Sequence, residues 1–153
     1  MSAVFKTLHH VCIVVRDIDK AVAYYETVGI GPWQNYPPLA QYVELHMPNR
    51  DAFMALRYKF ANLDNVQIQL CEPSPADSPQ RRFLDQHGEG VFHIGFEVAD
   101  CNDSEKAAKA LGLSVLMRGR RQDGSGFTYF NTADEAGGVV LEIRASSRAA
   151  SRP

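Results

Sequence analysis

Apolar and polar positions alternate along several stretches of this chain, and the stretches recur twice in the same order. Leu8 to Val15 is an apolar run of strand character, with His9 and His10 near its start. Asp17 or Asp19 then caps a helix whose Ala21, Val22, Tyr25 and Val28 form an apolar stripe, and Gly29 stops it before the breaker Gly31-Pro32. Residues 41–46, 53–60 and 65–71 read as three further strands, separated by the turn-rich segments MPNRD and NLDN. The connector 72–90 holds a short helix from Gln80 to His87, opened by Ser78-Pro79 and ended by Gly88. The order then returns. Val91 to Val98 is a strand, Asp103 to Leu111 a helix in which Asn102 and Glu105 have capping-box spacing, and 114–120, 125–130 and 138–144 are strands. The tail SSRAASRP is expected to fray. This recurrence predicts an α+β fold of two βαβββ modules, about 8–71 and 91–144, in one domain spanning 1–153, each helix covering one sheet face and the other faces meeting around a shared cavity.

Because successive side chains on a strand point to opposite faces, the pattern also predicts what the cavity holds. Phe92, Ile94, Phe96 and Val98 share one face, which leaves His93, Gly95 and Glu97 on the other. Val66, Ile68 and Leu70 stand opposite Gln67, Gln69 and Cys71; Val139, Leu141 and Ile143 stand opposite Val140, Glu142 and Arg144. His10 joins Cys12 and Val14, across from Val11, Ile13 and Val15. A single histidine in a strand is ordinarily structural. Two imidazoles, an amide and a carboxylate directed away from the helices are costly to bury without a partner, and a metal ion accounts for all four together. Glu142 has an alternative in an ion pair with Arg144 or Arg57.

Composition narrows the function classes. At 153 residues with 45% apolar positions the chain can build one real core, and a formal charge of -2 removes the general attraction for phosphate backbones, so nucleic acid is not an expected partner. No leader pattern or bilayer-length apolar run is present in the sequence, which makes the cytoplasm the expected location. Cys12, Cys71 and Cys101 lack CxxC spacing and read as reduced thiols, Cys12 and Cys71 as small buried groups. There is no glycine-rich dinucleotide or phosphate-loop motif, and GRRQDGSG reads as a hairpin turn.

His10, Gln69, His93 and Glu142 offer nitrogen and oxygen donors that suit one divalent ion, without choosing among zinc, nickel, cobalt, manganese and iron. Taken in order, LHHVCIVVRDIDKAVAYYETVGI, VQIQLCEP, VFHIGFEV and GGVVLEI resemble the vicinal-oxygen-chelate, or glyoxalase/bleomycin-resistance/dioxygenase, superfamily, and among its branches the methylmalonyl-CoA epimerase-like members. The resemblance covers nearly all of residues 8–144 and implies paired modules forming a curved sheet around one metal-binding cavity. It places the four ligand positions at His10, Gln69, His93 and Glu142. It further implies a homodimer and a small-molecule substrate whose carbonyl or adjacent oxygens reach the ion.

The chemistry expected is metal-assisted enolisation of a carbonyl or acyl-CoA compound, by an isomerase, epimerase or lyase. The epimerase branch also implies a carboxylate base on a middle strand of the first module, where FMALRYKF has none. Glu44 is the leading candidate for that base and Glu97 its rival; Arg57, Lys59 and Tyr129 are candidates for binding the substrate. Two rival readings stand beside this one. His10, His93 and Glu142 alone meet the requirement of a non-haem iron ring-cleaving dioxygenase. A small-molecule binding or resistance protein would instead use Trp33, Tyr36, Phe53, Tyr58 and Tyr129 as stacking groups.

Overall fold

The computed structural model describes residues 3–147, so most of the tail lies outside the described part. In chain order the elements are β1 (Thr7–Val14), α1 (Ile18–Thr27), β2 (Gln34–Asn35), β3 (Glu44–His46), α2 (Arg50–Met54), β4 (Arg57–Asn62), β5 (Gln67–Glu72), α3 (Pro79–His87), β6 (Gly90–Glu97), α4 (Cys101–Ala110), β7 (Val115–Arg120), β8 (Gly126–Phe130) and β9 (Val140–Ala145). All the strands join one curved, unclosed sheet in the order β2-β4-β5-β1-β6-β9-β8-β7-β3. β1 and β6 pair antiparallel at its centre, and each is flanked by a parallel neighbour, β5 and β9 respectively. The fold is α+β, as the pattern predicts.

The outer face carries α1 and α4. Ile18 and Val22 of α1 close over Val15 and Leu70, with Ile13 and Tyr25 beside them. Ala108 of α4 packs with Phe130, Ile143 and Val4. Burying a side chain such as Ile18 or Leu70 contributes about 1.5–3 kcal/mol each. On the inner face, Cys12, Val14, Cys71 and Val140 share a core with Phe53 of α2 and Leu84 of α3. Asp17 caps α1, accepting from the Lys20 N–H, and Ser78 caps α3, accepting from the Arg81 N–H, with Pro79 at the first helical position.

Three local expectations are corrected. The second strand of the first half is Gln34–Asn35, whereas Glu44–His46 crosses to the opposite edge and pairs antiparallel with β7. The start of the expected strand 53–60 is helical, because Asn49 accepts a hydrogen bond from the Ala52 N–H and nucleates α2 over Arg50–Met54. The cap of α4 is Asp100, bonded to the Asp103 N–H, two residues before the expected Asn102.

The crossing has a topological result. The two edge strands, β2 and β3, follow each other in the chain, so residues 36–43 run from one end of the sheet to the other across its inner side.

Candidate metal centre

The central strands set two adjacent rows across the inner face. In one row His10 stands opposite Gly95, Gly95 opposite Glu142, and Glu142 opposite Tyr129; in the other, Cys12 separates Gln69 from His93. Gly95 makes the first row possible. A β-carbon there would lie 2.5 Å from His10 Nε2 and 2.6 Å from its Nδ1, so the imidazole occupies the space a side chain would take.

His10 Nε2 and His93 Nε2 are 2.9 Å apart, and Glu142 Oε2 lies 3.3 Å from the first and 2.8 Å from the second. All three side chains are buried. Two ring nitrogens supply at most two protons for these three close contacts, so hydrogen bonding alone leaves the cluster incomplete, while a cation among the three donors satisfies them all. His93 Nδ1 is buried with no partner among the described residues, which leaves Nε2 as the polar end of that ring. Burial pushes the His93 pKa down against the pull of Glu142, keeping the ring neutral. Burial alone would raise the Glu142 carboxyl, but the electrostatic pull and hydrogen bonds of the His10 and His93 rings hold it well below the usual carboxylate range. A neutral imidazole and an ionised carboxylate are the states that ligation requires. The residues therefore fit a divalent ion. Gln69 lies on the same face, its Nε2 donating to Gln67 Oε1 at 2.7 Å, and its own Oε1 has no partner among the described residues.

Behind His10, its Nδ1 is 2.8 Å from His9 Nδ1, and His9 Nε2 is 2.8 Å from Arg144 Nη1. A guanidinium only donates, so His9 Nε2 accepts. Burial first, and then the Arg144 charge, bring the His9 pKa down to about 4, so His9 is neutral near pH 7. Arg144 also donates to Glu97 Oε2 at 2.9 Å. Glu142 is thus partnered by the two histidines rather than by Arg144 or Arg57.

A cavity opens on this face. Tyr36, Tyr42, Phe53, Tyr58, Phe127 and Tyr129 supply aromatic walls, Gln69 and Glu142 polar ones, and Arg121 and Arg144 cationic ones. Tyr58 and Tyr129 bring their hydroxyls to 3.5 Å from each other, and burial holds both phenols well above 10, which makes them donors rather than bases. The Cys12 and Cys71 thiols are pushed up by burial, Cys71 to about 12, which excludes a thiolate nucleophile near neutral pH.

Several candidates fall elsewhere. Leu45 turns inward against Phe127 and Gly119, so Glu44 turns outward and pairs with Arg118 at 3.0 Å, away from the cavity. Tyr58 takes the inward position on β4, which puts Arg57 and Lys59 on the outer face, where Arg57 meets Asp19 of α1 at 3.3 Å. Trp33 packs against Tyr25 on the outer side, its Nε1 donating to the Ile30 carbonyl. Glu97 is on the inner face at the rim, with Oε2 held by Arg144 and Oε1 accepting from Ser146. Sequence reasoning missed Arg121, which the hairpin reading absorbed, and passed over Arg144 as a wall residue, although alternation places it on the face of Glu142.

A curved sheet of paired βαβββ units with a His-His-Glu cluster on its inner face defines the class of this protein. The chain belongs to the Glyoxalase/Bleomycin resistance protein/Dioxygenase superfamily, which it matches over residues 9–130. Among its relatives, it is 27% identical over 139 residues to the mitochondrial methylmalonyl-CoA epimerase of Bos taurus, covering 89% of this chain and 72% of that one. It is 29% identical over 120 residues to an ethylmalonyl-CoA/methylmalonyl-CoA epimerase of Cereibacter sphaeroides, covering 77% and 80%. A methylmalonyl-CoA epimerase solved in complex with methylmalonyl-CoA superposes with a TM-score of 0.70 at 25% identity, over 94% of this chain and 96% of that one.

Proposed function

We propose that this chain is a metal-dependent isomerase of the epimerase type, which moves a proton at the carbon next to a carbonyl of an acyl-CoA or similar small compound. The observation that carries the reading is the convergence of His10 Nε2, His93 Nε2 and Glu142 Oε2 beside an aromatic-walled cavity. The epimerase relatives, and the acyl-CoA bound in one of them, support it.

His10, His93 and Glu142 would hold the ion, with Gln69 Oε1 on the same face as a fourth donor. When bound, the ion supplies charge that stabilises the negative charge developing on a substrate oxygen. The chain's own groups do the rest. Tyr58 and Tyr129 present O–H donors inside the cavity, suited to the same developing charge. With Glu44 outside, Glu142 is the carboxylate among the residues lining the cavity. Its Oε1 has no partner among the described residues and is assigned as the proton acceptor. Its carboxyl is held low and is a weak base, so the assignment depends on the charge of the ion, which would make the neighbouring substrate carbon more acidic; Glu97, with both oxygens engaged, is the rival.

The test is solvent-deuterium exchange at C2 of methylmalonyl-CoA, with metal content measured in parallel. Exchange that requires one bound ion per chain, and that survives Glu97→Gln, is the expected result. A metal-replete chain without exchange overturns the reading. Oxygen consumption with a catechol would replace it with the dioxygenase reading, which the two-histidine, one-carboxylate cluster of His10, His93 and Glu142 also suits and which a fourth ligand at Gln69 opposes.

A further inference from the structure

Among the described residues, Arg144 spends one of its three nitrogens on the protein. Its Nη1 donates to His9 Nε2 and Glu97 Oε2 and approaches Ser146 Oγ at 3.3 Å, and these contacts account for both protons on that nitrogen. Nε–H and the two protons of Nη2 have no acceptor among the described residues, although the side chain is only 15% exposed and lines the cavity. A guanidinium carries five N–H groups, so three donors remain open on the cavity side, reachable from solvent and ready for an acceptor that enters there. Arg121, the other cavity arginine, offers a contrast. Its Nε donates to Gln41, its Nη1 to Ser125 and the Ala145 carbonyl, and its Nη2 to Tyr42. Arg121 is a wall, and Arg144 is an open fork.

We propose that the free Nε–Nη2 edge of Arg144 binds a carboxylate carried by the substrate at a distance from the oxygens that reach the metal. The proposal rests on the enolising reading and narrows its substrate class. The Nε and Nη2 protons are parallel and matched in spacing to the two oxygens of a carboxylate, a geometry lysine does not have. The fork is preorganised, since His9 and Glu97 hold the guanidinium from behind, so little side-chain freedom is lost when a ligand docks. Arg144 follows Glu142 by two residues on one face of β9, which separates their Cα atoms by about 7 Å. One small molecule can therefore place two oxygens at the metal and, a few carbons further on, its carboxylate at the fork. The substrate class is a short-chain compound with a chelating carbonyl end and an acidic far end.

A matched pair of probes isolates the far end. 2-Oxoglutarate and 2-oxohexanoate share the chelating 2-oxo acid and differ in having a carboxylate or an ethyl group at the far end. Both would be titrated into cobalt-loaded protein and followed by the visible cobalt spectrum and by calorimetry. Wild type is expected to bind 2-oxoglutarate at least tenfold more tightly. Arg144→Gln and Arg144→Lys should reduce that preference to less than twofold, the two probes being compared within each cobalt-loaded variant so that any change in the metal centre cancels from the ratio. Equal binding of the two probes by wild type, or a preference that persists in Arg144→Gln, overturns the proposal. A preference kept in Arg144→Lys overturns the fork in favour of a point charge. Displacement of 2-oxoglutarate by inorganic pyrophosphate but not by glutarate overturns the carboxylate in favour of a phosphate. Failure of wild type to bind cobalt would count against the metal reading alone. The ¹H–¹⁵N resonance of Arg144 Nε–H in metal-free protein, titrated with glutarate, then decides the fork: a saturable shift supports it and none overturns it.

Discussion

Gly95 and His10 face each other across the central strand pair, and the His10 imidazole lies where a β-carbon of residue 95 would stand. Both strands are fixed by pairing on either side, so the ring has to move if that space is filled. Gly95→Ala should therefore fold with the same sheet and displace His10 from His93 and Glu142. Its affinity for cobalt or zinc is expected to fall at least tenfold, read by titration against a chromogenic chelator. Wild-type affinity in this variant would show that His10 does not hold the ion.

A second expectation concerns Glu105, far from the metal centre. Its Oε1 accepts from Thr128 at 2.7 Å, Arg118 at 2.9 Å and Arg120 at 3.1 Å. Burial pushes its carboxyl up, but the bonds from Thr128 and Arg118, with the charges of Arg118 and Arg120, bring it below its ordinary value of 4.5. A carboxylate held down in the fold contributes stability in full above its unfolded pKa and loses it as the pH falls through the folded one. Glu105→Gln should cost about 3 kcal/mol at pH 7, because the Arg120 guanidinium is left buried without its counter-charge. The gap between the two proteins should begin to narrow as the pH falls below the ordinary 4.5 and close further as it passes the lowered value of the fold. Urea melts at pH 7 and pH 3.5 measure both; a constant gap would show that Glu105 acts through shape rather than charge.

Glu44 and Arg57 give a negative test of the placement. Both lie on the outer face, on ion pairs with Arg118 and Asp19. Glu44→Gln and Arg57→Gln should leave deuterium exchange within twofold of wild type and change stability by at most about 1 kcal/mol each. A tenfold loss of exchange in Glu44→Gln would require the cavity to extend past β7.

What the sequence made legible was what regular strands make legible. His10, Gln69, His93 and Glu142 sit on strands long enough for alternation to name a face, and the structure puts all four on the inner one. Glu44 shows where that reasoning stops. Its alternation with Leu45 was visible, but which side faced inward depended on pairing with β7, a partner about 70 residues further along the chain. Gln34–Asn35 is too short to show any period. FMAL is apolar in either a helix or a strand, and Asn49 decided the matter through a single cap. Arg57 and Lys59 looked like anion binders because they are the charged residues of their strand, while Arg144, whose neighbours leave three N–H groups open, carried no sign of that in its local sequence.

The passage of residues 36–43 from β2 to β3 acts on the cavity as a string acts on a bow. At ~3.5 Å per residue the link from Asn35 to Glu44 cannot stretch beyond roughly 30 Å, so the tips of the curved sheet cannot spread further apart than that. Tyr36 and Tyr42, two of the aromatic walls, are carried on the string itself. The size of the largest guest is thereby written into a loop length, and lengthening that loop is a way to widen what the cavity admits without touching a residue that holds the metal.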